Sequence, residues 1–356
     1  MANEIEVTDT TATQIPVYNR SDFASDQNVR WCPGCGDYSI LTQVQKTMPE
    51  ICSEMNIPKE NVVFISGIGC SSRFPYYMDT YGFHTIHGRA PTIASGLKIS
   101  RPDLQVWVVT GDGDGLSIGA NHLMHALRRN VDINILLFNN RVYGLTKGQY
   151  SPTSEVGQKT KTSPMGAIAQ PVNPLSYALA SQATFVGRAI DTDARGLQAM
   201  LKRAARHKGT SLVEIYQNCH IFNNGAFESF AKKSNRAEHT VQLEHGQPLI
   251  FGKERDKAIA LKSGAAGVEA EVVKLEEADP ASLLKHDETA VNGVLPYLLS
   301  RFDEMGLPVP LGVFRAVERA TYEELVVEQL DAAADQAGRG NLHDLLHSGE
   351  TWEVTA

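Results

Sequence analysis

The sequence predicts an α/β protein built on a mostly parallel, doubly wound sheet. Two observations favour this fold class. Apolar runs of strand length alternate with helical patterns between about residues 61 and 216, and glycine or polar residues directly follow two of those runs. Of the 356 residues, 42% are apolar and 21% charged, which is enough for a substantial buried core. Ligands of such folds bind beyond the carboxyl ends of the strands, so the residues after the strands are candidates for function.

Five segments of β-rich composition are predicted to be strands: Asn61–Ser66, Leu104–Thr110, Ile133–Asn139, Phe185–Ile190 and Ser211–Tyr216. Helical patterns, including Ile118–Arg129 and Ala194–His207, separate these strands. Alternation of this kind predicts parallel strand pairing with helices on both faces of the sheet.

The pattern changes after about residue 230. A charged stretch, Lys253–Lys285, is followed by two amphipathic segments, Val291–Met305 and Tyr322–Gln336. We therefore expect three parts: an N-terminal segment (1–30), a ligand-binding domain (31–230) and a helical C-terminal extension (231–356). The extension is expected to pack on the core or on a partner protein.

Charge and composition exclude several classes of protein. The formal net charge of −8, without a basic stripe, argues against a nucleic-acid partner. The segment Met1–Gln14 lacks the features of a secretory signal, and no apolar run approaches about 18 residues, so we expect a cytoplasmic protein without a membrane anchor. In that reducing compartment the five cysteines are expected to be metal ligands, redox-active or buried rather than disulfide-bonded.

A glycine-rich turn follows the second predicted strand. In Gly111-Asp112-Gly113-Asp114-Gly115 the glycines allow the backbone to approach a phosphate, and a helix starting at about Leu116 would offer its free N–H groups to that anion. The next strand brings Asn139 and Asn140 to the same edge of the sheet. One carboxylate, one amide oxygen, a backbone carbonyl and two diphosphate oxygens, completed by water, suit octahedral Mg²⁺.

Two other structures are possible for this turn. A pair of ordinary Asp-Gly turns explains an isolated Gly-Asp-Gly, but not the flanking strands and the paired asparagines. A calcium loop of the helix-loop-helix kind fails, because Leu116 stands where a third oxygen ligand belongs.

Four cysteines, Cys32, Cys35, Cys70 and Cys219, form a second candidate site. Four thiolates suit either an iron–sulfur cluster or tetrahedral zinc, and the cysteine pattern alone does not separate the two. The Cys-x-x-Cys turn also invites comparison with a thioredoxin-like dithiol, although its Pro-Gly order is reversed and no such strand precedes it. Cys52 lies in a helical pattern and is expected to be buried.

Gly111-Asp112-Gly113 followed by Asn139-Asn140 resembles the thiamine diphosphate motif. The continuation from Arg141 to Gln149 is similar to the β subunit of 2-oxoacid:ferredoxin oxidoreductases, and the similarity extends from about Trp31 to about Ala226. The resemblance implies the diphosphate-domain fold that binds thiamine diphosphate. It also implies Mg²⁺ ligation by the side chains of Asp112 and Asn140 and by the carbonyl oxygen of Val142.

The resemblance further implies which residues hold the cofactors. One [4Fe–4S] cluster is expected on Cys32, Cys35, Cys70 and Cys219. The residues expected to bind thiamine diphosphate are Gly69, Ser71, His87, Gly88, Gly111, Asp112, Gly113, Asp114, Asn140, Val142, Gly144, Leu145 and Thr146.

Three basic residues are candidates for catalysis. Arg73 and His87, with Arg89 nearby, would screen the diphosphate or the substrate carboxylates, and Lys147 would bind a substrate carboxylate. Ordinary packing or surface roles remain open for each of them.

The reaction implied by the resemblance is oxidative decarboxylation of a 2-oxoacid to acyl-CoA and CO₂, with electrons passing through the cluster to ferredoxin. The motifs look most like 2-oxoglutarate enzymes, with pyruvate or a broad substrate range as the alternative. The carboxylate that activates the aminopyrimidine ring is not identifiable, so a separate α subunit is expected to supply it in a dimerised αβ unit. A ferredoxin-independent thiamine enzyme and a noncatalytic zinc-binding scaffold are the alternatives from other classes.

Overall fold

The computed structural model describes residues 15–264 and 267–355, so Met1–Gln14 lies outside the described residues. Its strands, in chain order, are β1 (Val62–Ser66), β2 (Tyr81–His84), β3 (Gln105–Gly111), β4 (Asn134–Asn139), β5 (Phe185–Ile190), β6 (Ser211–Tyr216), β7 (Thr240–Leu243), β8 (Ile250–Phe251), β9 (Lys257–Gly264), β10 (Gly267–Lys274) and β11 (Val309–Ala316).

The α-helices are α1 (Asp37–Met55), α2 (Phe74–Tyr77), α3 (Ala90–Ser100), α4 (Asp112–Leu116), α5 (Ala120–Arg129), α6 (Pro174–Ala180), α7 (Ala194–Arg206), α8 (Glu228–Ala231), α9 (Lys233–His239), α10 (Val294–Ser300), α11 (Tyr322–Ala337) and α12 (Leu342–Leu346). Short 3-10 helices are formed by Arg20–Phe23, Lys59–Asn61, Ser71–Arg73 and Leu275–Glu277.

The main sheet has eight strands in the order β2-β1-β3-β4-β6-β5-β11-β7. The first six strands of this order, β2-β1-β3-β4-β6-β5, pair in parallel. Strand β11 pairs antiparallel with β5, and β7 pairs in parallel with β11. The predicted α/β class with a mostly parallel sheet is confirmed. A separate three-stranded antiparallel sheet, β10-β9-β8, lies in the C-terminal third.

Strand residues alternate between two hydrophobic cores, one on each face of the main sheet. In β1, Val62 and Phe64 belong to the core beneath α1 and α7, whereas Val63 and Ile65 belong to the core beneath α3, α5 and α6. Successive side chains of a strand point to opposite faces, so each of these strands is buried on both sides. This burial confirms the doubly wound arrangement.

Local sequence explains the helices that cover the sheet. In α7, Leu197, Leu201 and Ala204 recur at helical spacing and are buried, and the Asp193 side chain caps the N-terminus by accepting from the Gly196 N–H at 3.3 Å. Helix α5 ends at Asn130, whose φ of 59° lies in the left-handed region.

The five predicted strands and both predicted helices are confirmed, with ends that move by two residues at most. One local prediction was wrong. The helix expected from about Leu116 begins at Asp112, so the glycine-rich turn is itself the short helix α4, and α5 starts only at Ala120. Packing outweighs the low helix propensity of glycine here, because a Cβ at Gly113 would meet the Tyr143 ring at 2.2 Å.

The prediction of a helical C-terminal extension (231–356) was incomplete. Helices α10 and α11 confirm the two amphipathic segments, but the charged stretch Lys253–Lys285 contains the β9-β10 hairpin, and β7 and β11 complete the main sheet. Pro310 and Gly312 interrupt the strand pattern of β11, which obscured it in the sequence. The main sheet therefore extends across the predicted boundary at residue 230.

Among the described residues, no helix combines the length and the apolar character that crossing a membrane requires.

A buried ion pair joins β5 and β6. Arg188 Nε donates to Glu214 Oε2 at 2.7 Å, and the two side chains are 1% and 0% exposed. The guanidinium also lies 5.0 Å from the centre of the Tyr216 ring and 5.4 Å from that of Phe314. Glu214 therefore compensates the charge of Arg188 inside the core, where water cannot take its place.

We expect Glu214→Ala to lower the free energy of unfolding by about 3 to 5 kcal/mol, because it leaves Arg188 buried without its partner. Chemical denaturation of the purified protein measures this loss. Asp103→Ala, which removes a half-exposed ion pair with Arg101, is the matched control and should cost less than about 1 kcal/mol. Equal effects of the two variants would contradict the assignment.

Candidate active site

A cavity of about 540 Å³ opens at the carboxyl ends of β1, β3 and β4. Most of the residues predicted to bind the cofactor line it, and they are Gly69, Ser71, His87, Gly111, Asp112, Gly113, Asp114, Asn140, Val142, Leu145 and Thr146. Gly88 and Gly144 are not part of its lining. The strand-end rule thus located the cavity, because parallel strands bring their following loops to one edge.

Asp112 is 2% exposed and presents its carboxylate to this cavity. Its Oδ2 accepts hydrogen bonds from the Ser151 hydroxyl at 2.5 Å and the Thr153 hydroxyl at 2.6 Å. Burial raises the pKa of Asp112 to about 6, although these two donors act in the opposite direction. A bound cation would supply the charge compensation that the surrounding protein does not.

Asp114 holds the loops around the cavity in place. Its Oδ1 accepts from the backbone N–H groups of Ile68 at 3.0 Å and Gly88 at 2.7 Å, and it lies 2.7 Å from His87 Nδ1. Its Oδ2 accepts from the Thr110 hydroxyl at 2.7 Å. One carboxylate thus ties together the loops after β1, β2 and β3.

The two consecutive asparagines face opposite directions. Asn139 Nδ2 donates to Glu214 Oε1 at 2.7 Å, deep inside the protein, whereas Asn140 lines the cavity and its Oδ1 accepts from the Val142 N–H at 3.2 Å. Among the described residues, no donor to the Val142 carbonyl oxygen is found. Asp112, Asn140 and Val142 therefore bring one carboxylate, one amide oxygen and one carbonyl oxygen to a single cavity, the set expected for Mg²⁺.

Tyr143 packs directly on the glycine-rich turn. Its hydroxyl donates to the Gly113 carbonyl at 3.0 Å, and a Cβ added at Gly113 would meet its ring at 2.2 Å. Only glycine permits this close approach, which fixes the loop after β4 against the start of α4.

Cys32, Cys35, Cys70 and Cys219 line a second cavity of about 240 Å³. They come from the turn before α1 and the loops after β1 and β6. A Cβ at Gly144 would lie 3.4 Å from Cys70 Sγ and 3.6 Å from Cys219 Sγ, so the absence of a side chain there keeps space between the thiols. Cys52 is fully buried away from this group, as predicted.

The chemistry of this second cavity differs from that of a reactive dithiol. Burial raises the pKa of the Cys70 thiol to about 12 and also raises the pKa values of Cys35 and Cys219. Reactive dithiols require lowered values. Within the described residues, no three His, Cys, Asp or Glu side chains converge on the position of a single metal ion. The cavity therefore suits a group larger than one ion that binds thiolates at its periphery.

The two cavities share a wall. Cys70, Asn140 and Leu145 line both of them. A group bound among the cysteines would be in direct neighbourhood of a group bound above Asp112.

The three predicted catalytic residues are not together. His87 lines the first cavity with its Nδ1 2.7 Å from Asp114 Oδ1, whereas Arg73 and Lys147 line the cysteine cavity. Arg73 Nη1 donates to the Arg30 carbonyl at 2.7 Å, and Lys147 is exposed with a φ of 77°. Their catalytic roles stay predictions.

Several residues that shape the site were missed in the sequence. Ser151 and Thr153 bind Asp112 from a loop without secondary structure, and Tyr143 was noted only as part of a longer motif. Gln217, which follows β6 and lines the cysteine cavity, was also missed. The strand-end rule would have found Gln217 if it had been applied to the loop after β6.

Comparison with known proteins gives a consistent result. A family model described as "Thiamine pyrophosphate enzyme, C-terminal TPP binding domain" matches residues 67–215. The 2-oxoglutarate oxidoreductase subunit KorB of Mycobacterium tuberculosis is 52% identical over 336 residues, which cover 94% of this chain and 88% of that protein. The subunit beta of 2-oxoacid:ferredoxin oxidoreductase 2 of Aeropyrum pernix is 37% identical, over 75% of this chain and 83% of that protein.

A solved structure is similar along nearly the whole chain. It is the 2-oxoglutarate:ferredoxin oxidoreductase from Magnetococcus marinus with 2-oxoglutarate, coenzyme A and succinyl-CoA bound. The TM-score is 0.74 at 29% identity, with 95% of this chain and 98% of that chain covered.

We expect the affinity for a divalent cation to fall as the pH drops below about 6, because a proton competes with the cation for the Asp112 carboxylate, whose pKa is raised to about 6. Electron paramagnetic resonance of Mn²⁺ at pH 5 and pH 7.5 measures free and bound ion. Asp112→Asn should bind weakly at both pH values. An affinity of the unmodified protein that does not change between these pH values would show that Asp112 is not the ligand.

Proposed function

Because the chain belongs to the β-subunit family of 2-oxoacid:ferredoxin oxidoreductases, we propose that it works with an α subunit to convert 2-oxoglutarate and CoA to succinyl-CoA and CO₂. The two electrons released pass to ferredoxin. The observation that carries this proposal is the shared wall between a cofactor cavity and a four-cysteine cavity. An oxidative decarboxylase that exports electrons requires such a neighbourhood.

Thiamine diphosphate is the cofactor of the first cavity. The matching family model describes a domain that binds this cofactor. It spans residues 67–215, which include the turn after β3 and the two asparagines at the end of β4. When bound, thiamine diphosphate supplies the carbon nucleophile and the electron sink that decarboxylation of a 2-oxoacid requires. We assign its Mg²⁺ to Asp112, Asn140 and the carbonyl oxygen of Val142.

The protein groups prepare this cavity for a diphosphate. Asp114 holds the backbone of Ile68 and Gly88 in place, so the loops that line the cavity do not have to rearrange on binding. Tyr143 fixes the Gly113 carbonyl, which sets the orientation of the first turn of α4. Asp112 stays close to the ion through the hydroxyl groups of Ser151 and Thr153.

One [4Fe–4S] cluster fits the second cavity better than zinc does. Zinc requires its four sulfurs at about 2.3 Å from one point, and in the described part of the chain no group of three His, Cys, Asp or Glu side chains is arranged to hold a single metal ion. Cysteines spread around a common cavity suit a cube that binds one thiolate at each iron. Because burial raises the pKa values of Cys35 and Cys70, their thiolates require a bound metal group, and this requirement holds for zinc as well as for a cluster.

A partner must complete the first cavity. Its two carboxylates already have roles, Asp112 as the assigned cation ligand that Ser151 and Thr153 orient and Asp114 as the acceptor that joins the surrounding loops. Neither is free to bind an aminopyrimidine ring, whose activation requires a carboxylate. We therefore assign that carboxylate to the α subunit, which also closes the cavity from solvent.

For 2-oxoglutarate, the second carboxylate of the substrate has basic candidates nearby. Lys147 is exposed and lies two residues after Leu145, which lines both cavities. The relatives named for 2-oxoglutarate favour this substrate. Pyruvate is the alternative substrate.

The proposal is tested by the visible spectrum of the anaerobic αβ complex. A brown absorbance that bleaches when 2-oxoglutarate and CoA are added, and not with CoA alone, is the expected result. Pyruvate with CoA serves as the matched control for substrate choice. A colourless complex would refute the cluster, and bleaching only with pyruvate would refute the assigned substrate.

Two variants should separate the cofactors. We expect Asp112→Ala to abolish retention of thiamine diphosphate while the iron content stays near that of the unmodified complex, because only the cation site is lost. Cys219→Ser should do the reverse. Iron and thiamine analysis of the purified complexes measures both. Loss of both cofactors in both variants would indicate a general folding defect instead of two separate sites.

A further inference from the structure

We propose that Gln217 is a positioning residue that acts on both cofactor sites, by orienting the magnesium ligand Asn140 and by donating a hydrogen bond to the cluster ligand Cys35. This inference rests on the proposed function for the identity of the two cofactors. Its contacts are independent of that identity.

Gln217 is held rigidly between the two cavities. It directly follows β6, is 1% exposed, and its backbone N–H donates to the Asn139 carbonyl at 2.9 Å. Its side-chain Oε1 accepts from Asn140 Nδ2 at 2.8 Å. Its Nε2 donates to Cys35 Sγ at 3.2 Å and to the Asn218 carbonyl at 2.9 Å.

The orientation of both amide groups follows from their neighbours. The Val142 N–H needs an acceptor and finds it in Asn140 Oδ1 at 3.2 Å, so Asn140 turns its Nδ2 towards Gln217. Gln217 must then present Oε1 to Asn140. This leaves its Nε2 for Cys35 and for the Asn218 carbonyl, which can only accept. A reversed Gln217 amide would place like groups against each other at both ends.

Each end of the amide has a separate physical consequence. The bond to Asn140 stops its side chain from rotating, so Oδ1 keeps the orientation in which it accepts from the Val142 N–H beside the first cavity, where the cation is assigned. The bond to Cys35 Sγ places a positive N–H end beside a cluster thiolate. Hydrogen bonds to cluster sulfurs favour the reduced, more negative state and raise the reduction potential.

Two substitutions separate these effects from a merely structural role. Gln217→Glu keeps an acceptor for Asn140, but it replaces the donor to Cys35 by a carboxylate oxygen. Gln217→Met has a similar size and provides neither group. A role in packing alone would make both variants mild and alike in every readout, because both new side chains are close to glutamine in size.

The experiment uses the anaerobic αβ holoenzyme and two readouts: the cluster reduction potential from a redox titration, and the dissociation constant of thiamine diphosphate after its removal with a chelator. We expect the potential to fall in the order unmodified, Gln217→Met, Gln217→Glu. The dissociation constant should rise about tenfold in Gln217→Met and by less than about twofold in Gln217→Glu. The two readouts thus rank the variants in opposite orders.

The control is Gln45→Met. Gln45 is 5% exposed and donates from Nε2 to the Tyr77 carbonyl at 3.0 Å, without lining either cavity. It should leave both readouts unchanged. Equal potentials in all variants, or an unchanged dissociation constant in Gln217→Met, would overturn the proposal. An unmodified complex that lacks the cluster or the cofactor would instead refute the proposed function.

Discussion

The hydrogen bonds to the carboxylate of Asp114 are the interaction on which the site depends. This side chain is 2% exposed and joins Ile68, Gly88 and Thr110, three residues that lie in different loops or strands. Each loop follows a strand and has little secondary structure of its own. A buried carboxylate that accepts several hydrogen bonds gives these loops one common reference point, and it loses little by burial because its oxygens are satisfied.

Asn139 and Asn140 point to opposite sides of the strand end, and this arrangement also fixes the site to the core. Adjacent residues at a strand end point to opposite sides, so one asparagine is anchored in the core by Glu214 and the other faces the cavity. Glu214 is in turn fixed by Arg188. The buried ion pair thus fixes one side of the end of β4 through Asn139, while Asn140 on the other side remains available to a ligand in the first cavity. Asn139 therefore stabilises the core and Asn140 faces the ligand, so one side chain does not have to do both.

The sequence was sufficient to predict the central part of the fold. Strands such as Phe185–Ile190 and Ser211–Tyr216 are rich in apolar and β-branched residues despite Arg188 and Glu214, and their ends agree with the structure. Strand β11 was not found, because Pro310 and Gly312 break its pattern and its pairing partner β5 lies far away in the sequence. A strand that is specified by distant contacts leaves a weak local signal.

The site residues also divide into those with a local sequence signal and those defined by distant contacts. Asp112, Asn140 and the four cysteines lie in short motifs with definite spacing, so residue type and position identified them, and the structure places them at two adjoining cavities. Ser151, Thr153 and Gln217 act through side-chain contacts that depend on how loops meet in three dimensions. No spacing rule connects Gln217 with Cys35, which precedes it by 182 residues.

The position of β11 in the main sheet has a consequence for synthesis of the chain. Strand β5 pairs with β6 on one side, but its other neighbour is β11, which begins only at Val309. While the ribosome translates the intervening residues, β5 has an open edge of unpaired backbone groups. Open edges of this kind pair with other chains. The emerging protein is therefore most exposed to aggregation after the residues of both cavities have been synthesised and before its last sheet strand has left the ribosome.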